Sequence, residues 1–237
     1  MHTHIVKSYE AELTVLDRKL GQMGGMAEQL LGEAFAALEQ RNPERAKAVV
    51  AQDKVIDQLQ RELEEQVIVM IARRQPLAND LRQLMAVLKV ASDLERIGDL
   101  AKNIGKRAEA ISGENHPKQL MTGLRHMVDL TARSLKDVLD AFSQRDADKA
   151  LKVWRGDEQI DALYNSLFRE LLTYMMEDPR NIGLCTHLLF GAKNIERIGD
   201  HTTNIAETVH FLALGYPITD ERPKGDNTSS TMVHKSS

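Results

Sequence analysis

Two carboxylates four residues apart on a helix share one face, and they repel each other by about 0.2–0.5 kcal/mol unless a cation lies between them. This chain carries such pairs in a repeated setting. Leu94-Glu95-Arg96-Ile97-Gly98-Asp99 returns 101 residues later as Ile195-Glu196-Arg197-Ile198-Gly199-Asp200. Eight positions are identical over the 16-residue windows Val90 to Gly105 and Gly191 to Ala206, Asn103/Asn204 and Ile104/Ile205 among them. A second set of acids repeats at an offset of 104: Asp53-Lys54-Val55-Ile56-Asp57 matches Asp157-Glu158-Gln159-Ile160-Asp161. The chain is therefore an internal duplication, and each copy holds two acidic pairs, Asp53/Asp57 with Glu95/Asp99 and Asp157/Asp161 with Glu196/Asp200.

No Lys or Arg follows one turn beyond either Glu/Asp pair; Asn103 and Asn204 stand there instead. Facing pairs would make an all-oxygen cluster, which suits hard cations or oxo-bridged iron better than copper or structural zinc. Ion pairing with Arg96, Arg197, Arg73 or Arg74 is the competing explanation for the same acids, and a solvated helix face is the plainest one. Gly98 and Gly199, on the acidic side of their helices, leave room for a ligand or for a neighbouring helix.

The elements that must position these acids are helices. With Pro 6, aromatic residues 4% and hydrophobic residues 42%, the composition favours helix nearly throughout and predicts an all-α fold. On a helix Val90, Leu94, Ile97, Ala101 and Ile104 form one apolar stripe, and Glu95, Asp99 and Asn103 lie nearly opposite, so these acids are expected outside the core. From about His4 to Gln40 the Leu spacing is helical, with a kink or a close helix crossing expected at Gly24-Gly25. Asn42-Pro43-Glu44 reads as N-cap and first turn of a second helix ending near Gln75. Along it Val49, Asp53, Ile56, Gln60, Leu63, Val67 and Met70 form the core stripe, which puts Asp53 at the edge of an apolar seam, where a carboxylate needs a partner, and Asp57 one turn on, further toward the boundary. A third helix runs from about Ala78, with Asn79 or Asp80 as its cap, to Gly113.

Gly113 to Pro117 is taken as the boundary between the copies, giving one three-helix unit over residues 1–114 and a second over 115–216. Residues 217–237 are almost free of apolar side chains from Asp220 on and are expected to form a disordered polar tail.

A net charge of −4, from Lys+Arg 31 against Asp+Glu 35, supplies no basic field for nucleic acid or an anionic membrane. Cys185 is the only cysteine, which excludes an internal disulfide and a thiolate zinc cage and fits a reducing compartment. The longest apolar runs, such as Val67 to Ala72, are too short to span a bilayer, so the protein is expected in the cytoplasm. A ferritin-like di-iron bundle needs two Glu-x-x-His motifs, and Glu207-Thr-Val-His210 is one. With no phosphate loop, zincin His pair or Ser-His-Asp order, no enzyme is expected. Trp154 and Cys185 are assigned to packing, and Asp93 and Asn194 to the surface.

The two Glu-Arg-Ile-Gly-Asp stretches, Met23-Gly24-Gly25, Ala72-Arg73-Arg74-Gln75-Pro76 and Leu172-Thr173-Tyr174-Met175-Met176-Glu177-Asp178-Pro179 resemble the PhoU family of phosphate-transport accessory proteins, in order over about residues 5 to 216. The resemblance implies two tandem three-helix bundles and a cytoplasmic homodimer that meets membrane complexes only through protein partners. It implies negative regulation of the phosphate regulon, by linking the phosphate ABC transporter, through its ATPase PstB, to the sensor kinase PhoR. It also implies a metal in some members, including multinuclear iron clusters, so that a divalent or trivalent ion (iron, zinc, manganese or magnesium) is the expected cofactor. By motif the ligands are Glu95, Asp99, Glu196 and Asp200, completed by Asp53, Asp57, Asp157 and Asp161. A carboxylate-bridged protein that stores or oxidises iron is the alternative function.

Overall fold

The computed structural model describes residues 2–115 and 117–220, with side chains from residue 9 onward. Of the polar tail expected over 217–237, residues 221–237 lie outside the described residues, while Ile218 packs against the core. Among those described there are six long helices, one short 3-10 turn and no strand: α1 His2–Gln40, α2 Pro43–Arg74, α3 Asn79–Ala110, α4 Lys118–Gln144, α5 Ala147–Glu177 and α6 Ile182–Leu214, with the turn at Pro179–Asn181.

The duplication is visible in the turns as well as in the acids. Arg41 and Arg145 both sit in left-handed backbone at φ 52°, closing α1 and α4. The residue after each caps the next helix: Asn42 accepts from the Arg45 amide at 3.0 Å and Asp146 from the Lys149 amide at 2.9 Å. Pro43 adds a first-turn residue that needs no amide partner. Helix α2 stops at Gln75, again left-handed at φ 48°, before Pro76. The start of α3 differs from expectation. Ala78, at φ 49°, is the capping position and makes no side-chain cap bond, so neither Asn79 nor Asp80 caps the helix; both lie inside its first turn.

Helix α1 runs unbroken through Gly24-Gly25. The glycine serves a close crossing instead of a kink, because a Cβ on Gly24 would lie 2.7 Å from Leu139 Cδ1 of α4. Within each half the three helices pack on one another, α1 with α2 and α3, then α4 with α5 and α6. The halves are joined by α3 against α6 and α1 against α4. Asp93 of α3 meets His201 of α6, while Arg82 lies over Phe211 and Arg107 over Phe190, so α3 and α6 run antiparallel. All six helices feed one continuous apolar core, with Leu20, Leu63, Leu94 and Ile97 from the first half and Leu135, Ile160 and Ile198 from the second. Cys185 and Trp154 are buried in it, as their assignment to packing requires.

Candidate functional site

Each acidic cluster forms where the two consecutive helices of a half approach closely at a glycine. A Cβ on Gly98 would stand 3.0 Å from Ile56 Cδ1 and 3.6 Å from Asp53 Oδ1. On Gly199 it would meet Ile160 Cδ1 at 3.0 Å and Asp157 Oδ1 at 3.4 Å. The space left by the missing side chains is therefore taken by α2 and α5, not kept for a ligand. This contact brings Asp53 and Asp57 into the field of Glu95 and Asp99, and Asp161 into that of Glu196 and Asp200. All eight acids thus belong to two clusters, one per half.

The expectation that the acids of α3 and α6 avoid the core fails at Glu196, while the burial of Asp53 agrees with its place at an apolar seam. Asp53, Asp157, Asp161 and Glu196 are buried, each at 5% exposure or less, while Glu95, Asp99, Asp57 and Asp200 are half-buried. The physical reason is that α3 and α6 are central helices, each packed on several others, so the side opposite the first apolar stripe is covered too.

The partner that Asp53 requires is Lys102. Its Nζ donates to Asp53 Oδ2 at 2.6 Å and to Asp99 Oδ1, binding α2 to α3. Neither the arginines weighed above nor the position one turn beyond Asp99 supplies this cation. Arg96 reaches Glu95 only at 3.6 Å and Asp99 at 3.8 Å, from an exposed position, and Arg74 pairs with Glu12 of α1. Burial draws the Lys102 ammonium down, but the hydrogen bonds from Asp53 and Asp99 outweigh it and hold the lysine above its ordinary value. Burial works the other way on the acids: it pushes Asp53 up against the pull of Lys102, and it raises Glu95 with help from Asp99. The ammonium between two carboxylates at hydrogen-bonding distance makes the charged pair the arrangement that fits the geometry.

The second cluster keeps the acids and changes the cation. The position matching Lys102 is Thr203, whose hydroxyl donates to Gly199 O at 3.1 Å within its own helix. Lys193 approaches from the other end, 3.0 Å from Glu196 Oε1, with its ammonium also 4.9 Å from the centre of the Tyr164 ring. Glu196 Oε2 is buried without a hydrogen-bond partner. Burial first, and then the nearby Asp200 and Asp161, push the Glu196 carboxyl up to about 7 against the opposing hydrogen bond from Lys193.

Three residues outside the expected site prove to matter to its setting. Lys102 and Lys193 were legible as i, i+3 neighbours of Asp99 and Glu196 on the helix. His201 carried no signal, because its partner lies in the other half: its Nδ1 is 2.8 Å from Asp93 Oδ1, which also accepts from Asn204 at 3.3 Å. Asp93 is thus a half-buried joint between α3 and α6 instead of a surface acid. The lone Glu-x-x-His motif is engaged elsewhere, Glu207 with the Trp154 indole at 3.0 Å and His210 with Tyr216 O at 3.2 Å.

Among the described residues no three His, Cys, Asp or Glu side chains are gathered as a metal site. The first cluster does not fit one, since an ammonium already bonds the two carboxylates that would hold it. Each cluster has one buried carboxylate oxygen without a hydrogen-bond partner, Asp53 Oδ1 in the first and Glu196 Oε2 in the second.

Comparison with known proteins gives a consistent result. The family model described as the PhoU domain matches the chain twice, over residues 20–108 and 124–209. A phosphate-specific transport system accessory protein PhoU homolog of Rhizobium meliloti is 50% identical over 229 residues, covering 97% of each chain. The homolog of the same name in Caulobacter vibrioides is 50% identical over 226 residues, covering 95% of this chain and 98% of its own. The crystal structure of PhoU from Pseudomonas aeruginosa superposes with a TM-score of 0.85 at 38% identity, covering 88% of this chain and 100% of that one. The crystal structure of the phosphate transport system regulatory protein PhoU from Streptococcus pneumoniae gives a TM-score of 0.81 at 29% identity, over 89% and 99% of the two chains.

Proposed function

Because this chain belongs to the PhoU family, we propose that it is the accessory protein of a phosphate-specific transport system, acting as a non-catalytic adaptor that damps phosphate uptake and signalling when phosphate is plentiful. The observation that carries this reading is the match of both halves to the PhoU domain together with 50% identity along nearly the whole chain.

The geometry supports an adaptor. Six helices around one core give a stiff body whose helices, at about 1.5 Å per residue, run about 40–60 Å. Such faces present many exposed positions to protein partners while the core keeps them in register. In the first cluster Asp53 and Asp99 are engaged with Lys102 in holding α2 to α3, which leaves iron storage or oxidation the weaker reading.

In this proposal the partners are the transporter ATPase PstB and the sensor kinase PhoR, the working unit is a homodimer, and the protein meets the membrane only through them. No helix among the described residues is long and apolar enough to cross a bilayer. The test is binding of the purified chain to immobilised ATPase and to the cytoplasmic portion of the kinase, at high and at low phosphate. Capture by both, changing with phosphate, supports the proposal; binding to neither in either condition sinks it.

A further inference from the structure

The two clusters share acid types, spacing and a glycine contact, yet a cation is delivered to them by different means. In the first, the ammonium of Lys102 stands between Asp53 Oδ2, at 2.6 Å, and Asp99 Oδ1. Asp53 comes from α2 and Asp99 from α3, so this is the point between the two helices at which an all-oxygen ion site would have its centre. Lys102 lies three residues after Asp99 on the same helix and is only 21% exposed, so its ammonium arrives already tethered and largely desolvated.

We propose that Lys102 is the resident cation of the first cluster, a built-in ammonium standing where a metal ion would otherwise be held, so that the first half of this chain takes no metal. A lysine ammonium presents three donors and no acceptor, which suits two carboxylates and a rim of water. A metal ion entering between Asp53 and Asp99 has to expel an ammonium from a short charge-assisted bond to an acid that is 3% exposed. The second half sharpens the contrast, because Thr203 stands at the matching position and its hydroxyl is turned to its own helix backbone. The duplication has thus kept the acids in both copies and supplied a central lysine in one.

The experiment is manganese(II) binding to the full chain, measured by calorimetry and by metal content after dialysis, for wild type, Lys102→Thr, Asp53→Asn and Lys102→Thr with Asp53→Asn. Lys102→Thr, which copies the second half, is expected to bind one more ion per chain than wild type, and the added Asp53→Asn is expected to remove it. Asp53→Asn alone should leave the wild-type stoichiometry unchanged. No gain in Lys102→Thr, or a loss of metal in Asp53→Asn alone, overturns the proposal. A second measurement decides the matter even if Lys102→Thr does not fold. In wild-type protein with 15N-labelled lysine, the Lys102 ammonium, assigned by its absence in Lys102→Arg, should give a slowly exchanging signal that persists when zinc(II) is added. Displacement of that signal by the metal means the ammonium is not resident.

Discussion

Each acidic cluster holds one buried carboxylate oxygen without a hydrogen-bond partner, Asp53 Oδ1 in the first and Glu196 Oε2 in the second, but only the first has a lysine bonded to carboxylates of both its helices among the contacts described above. Both arise from the same motif, on corresponding pairs of helices, α2 with α3 and α5 with α6, over equivalent glycine contacts. What differs is where the cation enters: Lys102 comes from the C-terminal side of Asp99 and bonds Asp53 and Asp99, whereas Lys193 comes from the N-terminal side of Glu196 and bonds its Oε1. A repeated motif therefore fixes where negative charge is placed, and burial raises carboxyls in both copies, Asp53 and Glu95 in the first and Glu196, to about 7, in the second. The neighbouring lysine opposes that rise, Lys102 at Asp53 and Lys193 at Glu196.

The largest effect that could break this contrast is loss of the bridging lysine. Lys102→Ala leaves Asp53 buried and unpaired, and removing one partner of a buried pair costs about 3 kcal/mol or more. At the size of this chain that lowers Tm by roughly 6–12 °C. Lys193→Ala should cost about 1 kcal/mol at neutral pH, because Lys193 is 37% exposed and Glu196 can take up a proton instead. The sign with pH follows from Lys102 being held above its ordinary value. Its contribution is fully present below the unfolded lysine pKa, about 10.4, and is lost as pH rises through the higher folded value. Thermal denaturation of the two variants at neutral pH checks the ranking; equal losses would erase the distinction between the clusters.

Much of this was open to reading in the chain itself, and the limits have a physical cause. The caps at Asn42 and Asp146, the duplication and the need of Asp53 for a partner all depend on residues within a few positions of one another. The identity of that partner does not. Lys102 and Asp53 are 49 residues apart, and only the register of α2 on α3 brings them together. A search one full turn beyond Asp99 lands on Asn103 and passes over Lys102 at i+3. The burial of Glu196 was hidden for a similar reason: a single-stripe picture of α6 predicts one covered face, whereas this helix is enclosed by α5, α4 and α3. Asp93 looks like surface from its own helix and becomes a joint through His201 of the other half. Ala78 opens α3 in left-handed backbone with two better capping residues directly after it, and no local preference accounts for that choice.

The next effect sharpens the contrast through pH. The folded Glu196 carboxyl, at about 7, lies above its unfolded value near 4.3, so between those limits the folded state binds more protons than the unfolded one. The contribution of Glu196 to stability should then be fully present below about pH 4, fall as pH rises through that window and level off above 7. Glu196→Gln removes the ionisable group at nearly constant shape and should flatten that slope, leaving the variant more stable than wild type by about 2 kcal/mol at pH 8. Glu95→Gln should do the same more weakly, since Glu95 is less buried and is raised mainly by burial and Asp99. Urea denaturation of each variant at pH 5 and pH 8 separates them, and an unchanged slope in Glu196→Gln would show that another group carries it.

The smallest effect concerns what the halves share. If the clusters differ only in their cations, the glycine contacts beneath them should respond alike to a methyl group. In Gly98→Ala the new Cβ meets the Ile56 Cδ1 methyl at 3.0 Å, and in Gly199→Ala it meets that of Ile160 at the same distance. Each neighbour is the far end of a side chain that can turn aside, so the overpacking cost falls near the low end of its range, about 1 kcal/mol. Alanine in place of glycine in a helix interior returns nearly as much, about 1 kcal/mol. The net change should therefore be under about 1 kcal/mol in either half and agree between the halves within about 0.5 kcal/mol, the usual scatter for independent sites. A larger cost at Gly98 would mean that the methyl group also disturbs Asp53, whose unpartnered Oδ1 lies 3.6 Å from the new carbon, and through it the Lys102 bridge. Testing Gly98→Ala again in a Lys102→Ala background distinguishes the two causes: an excess that comes from the bridge disappears there, and one that comes from Ile56 remains.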